Sequence, residues 1–183
     1  MSGALAATLS LMSSCARQTV TVQLHPLQAS GDVTYVCRTP DGVGHPLSDC
    51  SAAAINRGEI DLYALVTQTA TGEVAVFNVP MDPASLKSGE GIVDVDPTVP
   101  GYGFLHVGAL PTRLTSTPGG SLSVVGVAEA GKPGLFGLPT QCIGAPNAHS
   151  SELAGQDRDL ASWPACSLPA TPGSVAVVLG ARS

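Results

Sequence analysis

Leu62-Tyr63-Ala64-Leu65-Val66-Thr67, the break Gln68 to Gly72, and then Glu73-Val74-Ala75-Val76-Phe77-Asn78-Val79 decide how this chain folds. Both runs are rich in β-branched and aromatic residues, and the short polar break between them ends in glycine, so the stretch predicts a β-hairpin. The returning run is apolar on both faces, which places it in a covered position within a sheet, and Pro80 ends it because proline lacks a ladder donor. The pattern comes back. Ser121 to Ala128 repeats the first run, Glu129 to Pro133 the break and Gly134 to Leu138 the return, with Val127 falling 61 positions after Val66 (127 − 66 = 61). Two copies of one supersecondary unit predict a repeat fold.

The rest of the chain agrees with an all-β class. Of its 183 residues 12% are charged, while 21 are glycine and 15 proline, a balance that favours short strands and tight turns over long helices. Thr19 to Leu24 alternates polar and apolar residues and opens the β domain. Gly31-Asp32 reads as a turn, Val33 to Cys37 as a strand, Thr39 to Leu47 as a loop, and Ser51 to Arg57 as one helical turn stopped by Gly58. The apolar run Val175 to Leu179 reads as a strand without its partner. A net charge of -6 with no cluster of Lys or Arg excludes a nucleic-acid partner, which requires concentrated positive charge to neutralise phosphates. The length suits one ordinary core.

Two resemblances carry this further. Leu65-Val66-Thr67-Gln68 with Gly72-Glu73-Val74-Ala75-Val76-Phe77-Asn78 resembles the blade motif of YVTN-type β-propellers. Val107-Gly108-Ala109-Leu110-Pro111 running into Thr117-Pro118-Gly119-Gly120 is similar to the element that opens that family's next blade, with Gly119 in place of the usual Asp. The resemblance implies two to three blade-like units, with repeats at about 61–79 and 107–138. A propeller closes with about four to eight blades, so the expectation is an incomplete ring, either a portion of a longer propeller or one whose blades come from another chain. The alternative is a small two-sheet β-sandwich.

Leu11-Met12-Ser13-Ser14-Cys15, after an apolar stretch too short to span a bilayer, resembles a bacterial lipoprotein signal. That implies removal of residues 1–14, lipidation of Cys15 and a β domain over 15–183. The membrane would then be met through a lipid anchor in the cell envelope. Ala16 lacks the aspartate that holds such lipoproteins at the inner membrane, so the expectation is the outer membrane or cell surface.

With Cys15 assigned to lipid, four of the five cysteines remain. Three connectivities are open to them, and local pairing, Cys37 with Cys50 and Cys142 with Cys166, is favoured because each couple brackets a stretch rich in Pro, Gly and Asp. Each closed loop of this size is worth about 3 kcal/mol in the chain-entropy picture. Trp163 is expected to pack on the second bridge. No metal is called for: neither cysteine couple has zinc spacing, and Asp82, Asp94 and Asp96 are too few for a calcium loop. His25, His45, His106 and His149 are scattered, no catalytic motif is present, and no cofactor is implied. The expected function is a lipid-anchored binding or scaffold module with a protein partner, a subunit or fragment of a larger propeller-type assembly. The alternative implied by the resemblance is the N-terminal part of a lactonase-like or quinoprotein-like propeller enzyme.

Overall fold

A computed structural model of the chain describes residues 27–79, 103–143 and 163–178. It is all-β, with two antiparallel sheets. The first joins β2 (Gly44–His45), β1 (Ser30–Arg38), β3 (Asp61–Gln68), β4 (Glu73–Asn78) and β5 (Phe104–His106) in that order. The second runs β6 (Pro111–Ser116), β7 (Leu122–Val127), β8 (Gly134–Pro139), β9 (Ala165–Ser167). Expected strand Thr19 to Leu24 lies outside the described residues.

The hairpin read from the sequence is β3–β4, paired from Tyr63↔Asn78 to Gln68↔Glu73. Its turn closes at Gly72, whose φ of +76° is open to glycine at little cost. The short helix α1 (Ala52–Asn56) forms where expected, because Ser51 Oγ accepts the Ala54 N–H at 3.2 Å and caps it. Gly31 and Asp32 correct the reading: they form no turn but lie inside β1, where the pairing with β3 is bulged between Ser30 and Val33. The Asp32 carboxylate holds the bulge by accepting the Val33 N–H at 2.9 Å, a local bond that the sequence shares with an Asx-turn.

The two sheets share one register at their outer strand pair, while the pairing beside it slips by two residues: Leu65 faces Val76, whereas Gly126, 61 positions on, faces Leu135. Glu73↔His106, Val74↔Leu105 and Ala75↔Phe104 join β4 to β5; Gly134↔Ser167, Leu135↔Cys166 and Phe136↔Ala165 join β8 to β9. Every residue of the second set stands 61 positions after its counterpart (134 − 73 = 61). The sheets differ further between their first two strands: residues 39–60, with β2 and α1, fill that gap in the first sheet, and residues 117–121 in the second.

Alternation along each strand decides which side chains meet. Tyr63, Leu65, Val74, Val76 and Leu105 project from the first sheet into one core with Val125, Val127 and Leu138 of the second, joined by Leu114, Ile143 and Trp163. Full burial of each branched aliphatic side chain contributes about 1.5–3 kcal/mol. The closest approach between sheets is β1 to β6, with β3 also near β6, and the outer strands lie less close. The faces in contact are unlike. The second-sheet counterparts of Tyr63, Leu65, Val74 and Val76 are Val124, Gly126, Leu135 and Gly137, which alternate with the buried set and so turn away from the first sheet. One sheet is therefore related to the next by a repeated step, not by a two-fold axis that would bring like faces together.

After β9 the chain returns across that outward face. Leu168 N–H donates to the Pro133 carbonyl at 2.8 Å, and Arg113 Nε donates to the Gly173 carbonyl at 3.0 Å. A Cβ on Gly126 would lie 3.0 Å from Pro172 Cγ and 3.3 Å from Val175 Cγ2, so only glycine leaves this crossing its full room. Pro172 and Val175 stand 61 positions after Pro111 and Leu114 of β6, the strand that packs on the first sheet. Among the described residues no strand pairs with 172–178.

Candidate functional site

The disulfide Cys37–Cys50, with a Cα–Cα separation of 5.7 Å, ties the 39–60 segment to the end of β1. The Cys142–Cys166 bridge expected from the sequence is not formed. Cys166 sits opposite Leu135 on β9, whereas Cys142 lies beyond the end of β8 and within reach of the core cluster. Strand and turn rise put them on the order of 15–20 Å apart, against the roughly 7 Å that a disulfide can span. Locality in sequence misled because β8 itself separates the pair. Trp163 consequently packs on no bridge; it is buried with its ring 6.3 Å from that of Phe136. Cys15 lies outside the described residues.

The histidines do not converge. His45 Nδ1 is 3.6 Å from Asp49 Oδ2, and His106, 69% exposed, is 3.9 Å from Glu73 Oε1 at the outer edge of the first sheet. His25, His149, Asp82, Asp94 and Asp96 lie outside the described residues. Among the described residues no three His, Cys, Asp or Glu side chains gather to hold a metal ion, and no helix is long and apolar enough to cross a membrane.

Two polar features escaped the sequence reading. Arg38, on the last residue of β1, is fully buried and its Nη1 donates to the Ile143 carbonyl at the end of the Thr140–Cys142 turn, pinning the second sheet's return to the first sheet. Asp61 is its register partner on β3. Burial raises the Asp61 pKa, and the Arg38 charge opposes that rise. An arginine at a strand end reads as a solvated terminus from sequence alone; no local pattern distinguishes the buried case.

The second feature is a polar seam where β1 meets β6. Asp32 Oδ2 accepts the Leu114 N–H at 3.1 Å, while its own N–H donates to Thr67 Oγ1 at 2.7 Å. Beside it the hydroxyls of Thr34, Ser116 and Ser123 form a chain with separations of 3.1 and 2.9 Å. Thr69 Oγ1 donates to the Pro111 carbonyl at 3.2 Å. These bonds set the offset of one sheet on the other, because each directional partner is met at only one register.

The surface with unspent binding capacity is the outward face of the second sheet. Leu122, Val124, Leu135, Gly137, Pro164 and Cys166 line a cleft of about 190 Å³. Its walls are aliphatic, with the Cys166 thiol as the one reactive group and no base or acid beside it, so its chemistry is burial of apolar surface. On the opposite side of the molecule the outward face of the first sheet exposes Val33 (47%) and Tyr35 (43%). Beside those two, the same face is covered: Leu62, Ala64 and Ala75 on it are buried, so the cleft on the second sheet is the candidate site. No protein-family model, curated protein or solved structure matches the chain.

Proposed function

We propose that this chain is an envelope scaffold or binding module made of propeller-type blades, held to a membrane by lipid on Cys15 and acting as part of a larger propeller-type assembly. One observation carries the reading of the sheets as blades: two four-stranded antiparallel units, β1-β3-β4-β5 and β6-β7-β8-β9, pair their last two strands in one register at a spacing of 61 and pack unlike faces together. A sandwich of two related sheets has no need of that step, whereas blades around an axis require it. Support for a docking role comes from the chemistry of the cleft, whose lining is apolar apart from the Cys166 thiol. The Cys37–Cys50 bridge fits folding in an oxidising compartment.

The test is membrane fractionation with metabolic lipid labelling of the full chain beside Cys15→Ala. The expected result is label and membrane retention in the unaltered chain, with the variant released into the soluble fraction and its Cys37–Cys50 bridge intact. Equal distribution of the two, with no label on either, refutes the anchor.

A further inference from the structure

We propose that an extended segment of a partner protein adds as a β-strand along residues 172–178 and lays its apolar side chains in the cleft of the second sheet. This rests on the blade reading above and names the kind of partner that the cleft takes.

The contact already inside the chain is the template. β6 lies nearest β1 and β3 of the first sheet, and β7 and β8 put Val125, Val127 and Leu138 on the same face of that sheet, against Tyr63, Leu65, Val74 and Val76. The second sheet repeats the first half of this arrangement. Residues 172–175 lie over β6 and β7 as β6 lies over β1 and β3: Pro172 and Val175 sit on Gly126 of β7, and the Gly173 carbonyl accepts Arg113 Nε of β6. The other half has no counterpart among the described residues. In its place, over β7, β8 and β9, is the cleft whose floor includes Val124, Leu135 and Gly137. These three stand 61 positions after Tyr63, Val74 and Val76, and the two-residue slip of β7 on β8 leaves them on the same face because side chains alternate with a period of two. The cleft is therefore the position that β7 and β8 fill on the first sheet.

The chemistry of the occupant follows. Val175 and Val177 are half-buried while Ser174, Ala176 and Val178 are exposed, Val178 to 88%, so exposure alternates as in a strand with one face down on a sheet. No described strand pairs with this backbone, and an incoming strand would, which gives direction to an otherwise non-directional apolar contact. The side chains it turns into the cleft are aliphatic: apart from the Cys166 thiol the lining is Leu, Val, Ala, Pro and Gly, and a charge placed there would lose its water with no counter-charge. β7 shows the pattern required. Its Val125 pairs with Leu114 of β6, and Val175 stands 61 positions after Leu114, so the occupant carries a branched aliphatic residue opposite Val175 and another two residues on, as Val127 follows Val125. The described strands of this chain with that pattern, β3, β4, β7 and β8, are already paired on both edges, so the segment comes from another protein.

The probe is a synthetic peptide of residues 121–128, which carries the β7 pattern, added to the full chain in detergent and followed by amide exchange and methyl resonances. The expected result is saturable binding that protects amides within 174–178 and shifts the Val124 and Leu135 methyls. Leu135→Arg in the chain is expected to weaken it about tenfold or more, and so is V125D with V127D in the peptide, a change that leaves the chain's own fold untouched. Binding that leaves the 174–178 amides unprotected, binding that the two aspartates do not weaken, or no binding at all overturns the proposal. No binding with those amides already protected in the free chain assigns the site to a segment of this chain if light scattering shows a monomer, and to a second copy if it shows an oligomer; either result overturns the partner assignment. Each such failure leaves the blade reading standing if Val125 methyls contact those of Val74 and Val76; contacts from Val124 in their place contradict the blade reading itself.

Discussion

The two sheets share the register of their outer strand pair yet are held in different ways. In the first, the link between the opening strands is residues 39–60, bound back to β1 by Cys37–Cys50, and its strand end buries Arg38. In the second, the same link is a tight turn at 117–121, and the corresponding face is crossed by the chain's own residues 172–175. A repeat thus fixes the outer pairing and leaves the rest free: β4–β5 and β8–β9 keep the spacing of 61, β7–β8 is two residues out of step with β3–β4, and insertions collect where no ladder passes. The same asymmetry explains why the first sheet's inward face is rich in large aliphatics and its counterpart in the second carries Gly126 and Gly137, since only the former meets a complete sheet.

Substitutions at five positions probe that contrast. Leu65→Ala, at a fully buried core position, is expected to lower stability by about 2–5 kcal/mol. Gly126→Ala, 61 positions on, is expected to leave the urea midpoint nearly unchanged and to speed proteolysis at 172–175, because its methyl crowds Pro172 at 3.0 Å and Val175 at 3.3 Å and meets Arg113 Cβ at an ordinary 3.5 Å. Equal losses at both positions would break the comparison. Cys37→Ser is expected to cost about 3 kcal/mol, and Cys166→Ser to leave the midpoint within error, as only the first cysteine is bridged. Asp32→Ala removes the acceptor for the Leu114 N–H across the seam and is expected to cost about 1–3 kcal/mol. Asn at the same position, which keeps an acceptor, is expected to recover more than half of that in chemical denaturation.

Asp61→Asn gives the smallest effect and sharpens the pH behaviour of the first sheet alone. Its folded-state pKa is raised by burial, so the folded form holds the proton more tightly than the unfolded form. The stabilisation is complete below the ordinary carboxylate range and is lost as pH rises through the elevated folded value. Asp61→Asn is expected to flatten the stability profile across that window, with neutral or slightly improved stability at pH 7; a steeper profile would contradict the burial argument.

Much of this ladder was legible in sequence. The run Leu62 to Thr67 and the return at Glu73 to Val79 give β3 and β4 almost to the residue, and the spacing of 61 foreshadows the register that β4–β5 and β8–β9 share. Ser51 marks its helical turn because a cap is a local bond. Failures came where the deciding partner is remote. Asp32 reads as a turn former until Leu114 is seen across the seam, and Arg38 reads as exposed until Ile143 covers it. The Cys142–Cys166 pairing assumed that closeness in sequence brings the two thiols together, whereas Cys142 lies past the far end of β8 and Cys166 pairs with Leu135 near its start. Of the open faces, only the unpartnered Val175 run was visible beforehand, because which side of a strand meets a neighbour depends on the packing of whole sheets.

The most direct test of the stacking step is a methyl NOE measurement on selectively labelled protein. Val125 and Val127 methyls are predicted to contact those of Leu65, Val74 and Val76 in the first sheet, with Val124 making no such contact. Cross-peaks from Val124 to those same methyls, with Val125 silent, would mean that like faces meet and would contradict the account.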